Sequence, residues 1–194
     1  AITARVFMLV AFGSLTTPSM PTIVDTVSGA TPLSAEIQGT GASLSELFFG
    51  TVGGAIGETC KAALLVGFIY LLVRRVITWH IPVSILGTVA LISGVLHYCV
   101  SPVYADPISV LCSGGLMLGA CFMATDYVTS PMVPKGQIIY GIAIGALTVV
   151  IRNWGSYPEG MSFAILIMNA FTPLINTYCK PRRFGEVIRK EDKK

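Results

Sequence analysis

The chain has 194 residues, 53% of them hydrophobic and only 12% charged, with a formal net charge of +3 at pH 7. A soluble domain carries about 25% charged residues, and the mean hydropathy here is +0.74. This composition excludes an ordinary water-soluble enzyme or a nucleic-acid-binding module. The short alternating segments of a membrane barrel are also absent, which leaves an all-α polytopic membrane protein.

In chain order, the apolar run from Val6 to Leu15 comes first. It falls short of the roughly 20 residues that cross hydrocarbon. The sequence begins with Ala1 and lacks the basic region and cleavage site of a signal peptide. Residues 1–15 are therefore expected to be the end of a transmembrane helix from a longer N-terminal part. Residues 16–59 form a polar segment rich in Gly, Ser, Thr and Pro. Apolar runs suited to complete spans follow at about 60–79, 82–101, 107–125, 134–151 and 161–179. The expectation is about six membrane helices, the first incomplete, with residues 60–179 as a five-helix membrane domain and 180–194 as a basic tail.

Charge sets the orientation. Arg74 and Arg75 lie at the end of the first complete span, Lys135 follows the third, and Lys180, Arg182, Arg183, Arg189, Lys190, Lys193 and Lys194 follow the last. The alternate loops hold only Lys61 and Arg152 as bases, with Asp25, Glu36, Glu46, Glu58, Asp106 and Glu159. Basic residues collect on the cytoplasmic side. The tail is thus expected in the cytoplasm, anchored on anionic lipid, and residues 17–59 outside the cytoplasmic membrane.

Within that external segment, Pro18 and Pro21 favour an extended exit from the first helix. The run Asp25-Thr26-Val27-Ser28-Gly29-Ala30-Thr31 then supplies a small-residue turn, with Gly29 free to take positive φ. Thr31 and Pro32 suit the N-cap and first position of a short helix, Leu33 to Gln38, closed by Gly39. An exposed hydroxyl with small neighbours is what an enzyme needs to attach a group to Thr31. The helix N-terminus and glycine turn offer N–H groups to a phosphodiester. A capped turn with no further role is the alternative.

Asp-x-x-Ser-Gly-Ala-Thr resembles the recognition motif at which a flavin transferase attaches FMN, through its phosphate, to the threonine. The wider chain resembles the D subunit of Rnf complexes, the ion-translocating ferredoxin:NAD oxidoreductases, and its relative, the B subunit of the sodium-pumping NADH:quinone oxidoreductase. The stretches that carry the likeness run from Gly50 to Thr59 (GTVGGAIGET), from Ser113 to Asp126 (SGGLMLGACFMATD), from Tyr157 to Gly160 (YPEG), at Met168 and Asn169, and from Lys180 to Gly185 (KPRRFG). Leu33, two residues beyond Thr31, resembles these subunits more than the small flavinylated G and C subunits, and the KPRRFG end looks more like Rnf. Tyr127 stands where the family commonly has proline.

This resemblance implies covalent FMN on Thr31, with Asp25, Ser28, Gly29 and Ala30 as the recognition residues. It also implies a second, non-covalent flavin, riboflavin or FMN, in the membrane part. The implied function is electron transfer coupled to Na⁺ or H⁺ movement. The implied partners are the flavinylated G subunit, the membrane A and E subunits, the iron–sulfur B and C subunits, and a flavin transferase during maturation. No catalytic residue is expected, because the cofactor supplies the redox chemistry. A redox subunit of the quinone-reducing pump and a transport or scaffold subunit without flavin are the alternatives.

Other residues have weaker claims. Glu58 and Asp126 are carboxylates at opposite helix ends, suited to the two mouths of a cation route or to plain interfacial turns. Lys61 and Arg152, on the flavin's side, could pair with its phosphodiester or reduced ring, or simply snorkel to the surface. His97 has no second ligand near it in sequence and reads as a packing residue; His80, beside Trp79, reads as a boundary anchor. Gly53/Gly57, Gly115/Gly119 and Gly141/Gly145 suit close helix approach. Trp154, Tyr157 and Pro158 suit an interfacial aromatic belt or a partner contact. Cys60, Cys99, Cys112, Cys121 and Cys179 show no metal-ligand spacing, and in apolar runs cysteine behaves as a small hydrophobe. No metal site is expected.

Overall fold

The structure, a computed structural model, describes residues 2–12, 44–50, 57–58, 60–100, 106–155 and 160–179. The described residues are helical, without strands. In chain order the helices are α1 (Ile2–Ala11), α2 (Leu44–Phe49), α3 (Lys61–Val73), α4 (His80–Val95, extended by a π-helical turn Leu96–Val100), α5 (Pro107–Cys112), α6 (Leu116–Leu118, extended by a π-helical turn Gly119–Met123), α7 (Pro134–Trp154) and α8 (Met161–Tyr178).

Three of these are long and apolar enough to cross a membrane: His80–Cys99, Pro134–Trp154 and Met161–Tyr178. The expected spans at 60–79 and 107–125 take different forms, each for a local reason. α3 has 13 residues, about 20 Å of helix, against a hydrocarbon core of about 30 Å. Arg75, at φ +53, stops it: the Arg75 N–H donates to the Leu72 carbonyl at 2.9 Å and the Val76 N–H to the Leu71 carbonyl at 3.0 Å. That pair of bonds is a Schellman ending, here built on arginine where glycine is usual.

The 107–125 stretch is a broken helix. Asp106 caps α5, accepting from the Ile108 N–H at 3.2 Å, and Pro107 takes the first helical position. Six residues later Ser113 is extended and Gly114 turns to φ +61, a conformation that favours glycine. Helix resumes only at Leu116.

α4 and α7 form the centre of the packing. They run parallel: Thr78 donates to Gln137 Oε1 at 3.1 Å just outside one end, Ser84 faces Gly141, and Thr88 faces Gly145. A Cβ at Gly145 would lie 2.8 Å from Thr88 Cβ and 3.0 Å from the Ile85 carbonyl oxygen, so the helices meet where side chains are smallest. Ile81, Ile85 and Val89 of α4 pack with Tyr140, Ile144 and Val149 of α7, Leu116 and Ala120 of the broken segment, and Ala164 and Ile165 of α8. α1 lies against α8 and contributes Ile2 and Val6. The outer face of α3 exposes Val66, Ile69, Tyr70 and Val73, as suits a surface whose solvent is lipid or another membrane helix.

A candidate functional site at a broken membrane helix

A helix that stops inside a packed bundle leaves carbonyl oxygens without intrahelical donors. The end of α5 is such a place, and two cations from other helices meet it. Arg152, in the last turn of α7, donates through Nη1 to the Val110 carbonyl at 3.0 Å and through Nη2 to the Ser113 carbonyl at 3.3 Å. Lys61, the first residue of α3, donates through Nζ to the Gly114 carbonyl at 2.9 Å and to the Glu58 carbonyl. Both bases are almost fully buried, at 6% and 4% exposure. Positive charge at a helix C-terminus also opposes the negative end of its dipole.

The other side of the break carries the opposite sign. Glu58 is 3% exposed and its carboxylate rests against Gly115, just before α6 begins. A Cβ at Gly115 would sit 2.7 Å from Glu58 Oε1 and 3.1 Å from Oε2, so glycine is what lets the carboxylate in. Oε1 lies 2.8 Å from Nη2 of Arg5, on α1. Oε2 is buried with no hydrogen-bond partner among the described residues. Among the described residues, three bases, Arg5, Lys61 and Arg152, are gathered around one carboxylate and the carbonyl dipoles of the break.

Asp126 lies away from this cluster, beyond the end of the broken segment and toward the start of α7, a helix about 30 Å long. It is exposed, accepts from the Val128 N–H at 3.5 Å and from Thr129 Oγ1 at 3.4 Å, and so organises its own turn. That turn is tied to α8: Thr172 Oγ1 donates to the Thr129 carbonyl at 2.9 Å, and the Met132 N–H to Asn176 Oδ1 at 3.3 Å. Between the two regions the buried Tyr140 hydroxyl donates to Asn169 Oδ1 at 2.6 Å, linking α7 to α8.

Glu58, Lys61 and Arg152 are therefore gathered in one place, and Asp126 is apart from them. Sequence reasoning placed Lys61 and Arg152 on the same side of the membrane but did not find the carbonyls they bind. It missed Arg5, a lone base inside the apolar run Ile2–Ala11, and it missed the break. The signal for both was present: a Gly114-Gly115 pair inside an apolar stretch, and buried bases in need of acceptors. Asp25, Ser28, Gly29, Ala30 and Thr31 lie outside the described residues, as do Tyr157 and Pro158. His97 meets Tyr98 edge-on, with centroids 5.0 Å apart, and His80 stacks on Trp79 at 4.3 Å. No group of three or more His, Cys, Asp or Glu suited to a metal ion occurs among the described residues.

Comparison with known proteins gives this arrangement its setting. The D subunit of the Na(+)-translocating ferredoxin:NAD(+) oxidoreductase complex of Acetobacterium woodii is 44% identical over 200 residues, covering 100% of this chain and 61% of its own length. Its counterpart in the proton-translocating ferredoxin:NAD(+) oxidoreductase complex of Clostridium ljungdahlii is 43% identical over 173 residues, covering 84% and 52%. The D subunit of the ion-translocating oxidoreductase complex of Stutzerimonas stutzeri is 40% identical over 179 residues, covering 86% and 51%. The chain thus spans about half to three fifths of the length of these relatives. A family model described as NQR2, RnfD, RnfE matches residues 1–185, and the chain belongs to that family.

Proposed function

We propose that this protein is the D subunit of an Rnf-type complex, carrying electrons through FMN bound covalently to Thr31 and helping to couple ferredoxin and NAD(H) chemistry to Na⁺ or H⁺ movement. The observation that carries the reading is the Asp25-x-x-Ser28-Gly29-Ala30-Thr31 run inside a chain of this family. The names of the relatives favour ferredoxin:NAD⁺ chemistry over quinone reduction. Those named for Na⁺ and for protons are 44% and 43% identical, so the coupling ion is to be read from transport, not from likeness.

The described residues fit an anionic flavin group nearby. In sequence, the motif falls between α1, which carries Arg5, and α2, which packs against α3 and α5 beside the break. The bases gathered at the break would favour a phosphodiester and a reduced, negatively charged ring. When bound, FMN supplies the electron-carrying chemistry. The chain supplies its position and the charge around it. Lys61 and Arg152 act in this reading through their field, with two donors of each held by backbone carbonyls. A second, non-covalent flavin belongs to the same proposal, as do the G subunit as electron partner, the A, B, C and E subunits, and a flavin transferase during maturation. The flavin loop lies outside and the C-terminal tail in the cytoplasm. Asp126 and Glu58 are the carboxylates proposed for the cation route.

The test is the mass of the denatured, purified chain, mapped by peptide around Thr31, with Thr31→Ala as control. An added mass of FMN less one water, absent from the control, is expected. An unmodified Thr31 in a host with an active flavin transferase sinks the flavin reading.

A further inference from the structure

We infer that the outer face of α3 and the two arginines at its end bind an anionic phospholipid, acyl chains along the helix and phosphate on the guanidinium groups. The inference is independent of the flavin reading. Val66, Ile69, Tyr70 and Val73 recur at the spacing of one helix face, and all four are exposed. Gly67 points elsewhere, to Phe122 of the broken segment: a Cβ there would lie 3.3 Å from Phe122 Cζ. Arg74 follows Tyr70 by four residues and so prolongs the exposed face. Arg74 and Arg75 are both exposed, and neither makes an ion pair among the described residues.

The backbone adds a second argument. Arg75 is held at φ +53, a conformation that glycine adopts at lower cost. An arginine that the turn itself does not need points to a use for its side chain. The length of α3 agrees. Its 13 residues give about 20 Å of helix, and a helix shorter than the hydrocarbon core reaches the headgroups where the bilayer thins and its flanking side chains snorkel. Guanidinium groups at that level bond phosphate through paired N–H donors. Trp79, exposed at the head of α4, suits the same boundary. Two adjacent positive charges over an apolar stripe complement a lipid with a net negative headgroup better than a zwitterionic one, which brings its own ammonium. A second membrane helix laid on the stripe would cover the apolar residues and leave both guanidinium groups without an anion.

The test uses the assembled complex, solubilised and depleted of lipid. Its thermal unfolding is followed as phosphatidylglycerol, phosphatidylcholine or inorganic phosphate is added. A saturable rise of about 3 °C with phosphatidylglycerol alone is expected, and most of it should be lost in Arg74→Gln/Arg75→Gln. Arg75→Gly keeps a residue suited to the turn, so a weakened response there is not a folding defect, and this variant carries the test if the Gln pair does not assemble. A phosphatidylglycerol response undiminished in these variants overturns the inference. An equal rise with phosphatidylcholine overturns it too, as does one with inorganic phosphate, which would mark a bare anion site. A photoreactive benzoylphenylalanine in place of Ile69, cross-linked in native membranes, gives the second reading. A phospholipid adduct supports the site, and an adduct with another subunit alone overturns it, because the face would then be a protein interface.

Discussion

α7 and the 107–123 segment are both apolar, both contain glycines, and both read from sequence as membrane spans, yet one is continuous and the other is broken. Glycine content does not separate them. α7 holds Gly136, Gly141 and Gly145 and runs unbroken for 21 residues, although each interior glycine costs about 1 kcal/mol relative to alanine. What differs is the company each segment keeps. Opposite the α7 glycines stand Ser84 and Thr88, which leave the ladder of backbone bonds intact and let α4 come close. Opposite Gly114 and Gly115 stand Lys61, Arg152 and Glu58, which bond the freed carbonyls and balance the two new helix ends. A membrane helix can break where other helices bring the hydrogen bonds that water would otherwise supply.

The largest effect should therefore come from removing a donor. Arg152→Leu keeps an apolar side chain in place but leaves the Val110 and Ser113 carbonyls without their charged partner. Two hydrogen bonds from one charged group are lost, and we expect a destabilisation of about 3 kcal/mol. Arg152→Lys should recover part of it with a single donor. Thermal unfolding of the solubilised protein reads both; an Arg152→Leu variant as stable as the parent would mean that the break is held by something else.

How far these differences could be read beforehand follows from where their causes lie. The helical membrane class, the span at 134–151 and the span at 161–179 are set by composition and run length, which each segment carries within itself. Asp106 before Pro107 likewise announces the start of α5. The break depends on Lys61, 53 residues before Gly114, and on Arg152, 39 residues after Ser113. Neither is visible in the hydropathy of the span itself. The early end of α3 was hidden for another reason: Arg75 adopts a left-handed conformation that residue type alone would assign to glycine. Lys61 and Arg152 were legible as bases on one side, but a base that serves a carbonyl looks the same in sequence as one that serves a phosphate.

A smaller effect compares the two kinds of glycine directly. Gly145→Ala would press its Cβ on Thr88 Cβ and the Ile85 carbonyl, a contact with backbone that cannot swing aside. Gly115→Ala would press on the Glu58 carboxylate, the end of a side chain. Overpacking of this kind costs about 1–3 kcal/mol. Gly145→Ala should sit at the upper end and stay there whatever happens at Glu58. The loss from Gly115→Ala should shrink in a Glu58→Ala background, because the obstacle has gone. Equal losses in both backgrounds would show that Glu58 does not fill the space beside Gly115.

The smallest change in stability, and the sharpest in function, is expected at the two carboxylates. Asp126 is exposed and among the described residues its carboxylate bonds within its own turn, so Asp126→Asn should leave the protein assembled while lowering the ions moved per electron in vesicles that hold the whole complex. Glu58 differs because its carboxylate also faces Arg5 and lies against the break. Glu58→Gln should weaken assembly as well as transport, and the two losses should fall together when Arg5→Gln is made instead. A normal ion-to-electron ratio in both Asp126→Asn and Glu58→Gln ends the cation-route proposal for both ends. A loss in Asp126→Asn alone would leave Glu58 as the counterion of a braced helix break, with its chemistry confined to holding Arg5 and α6 in place.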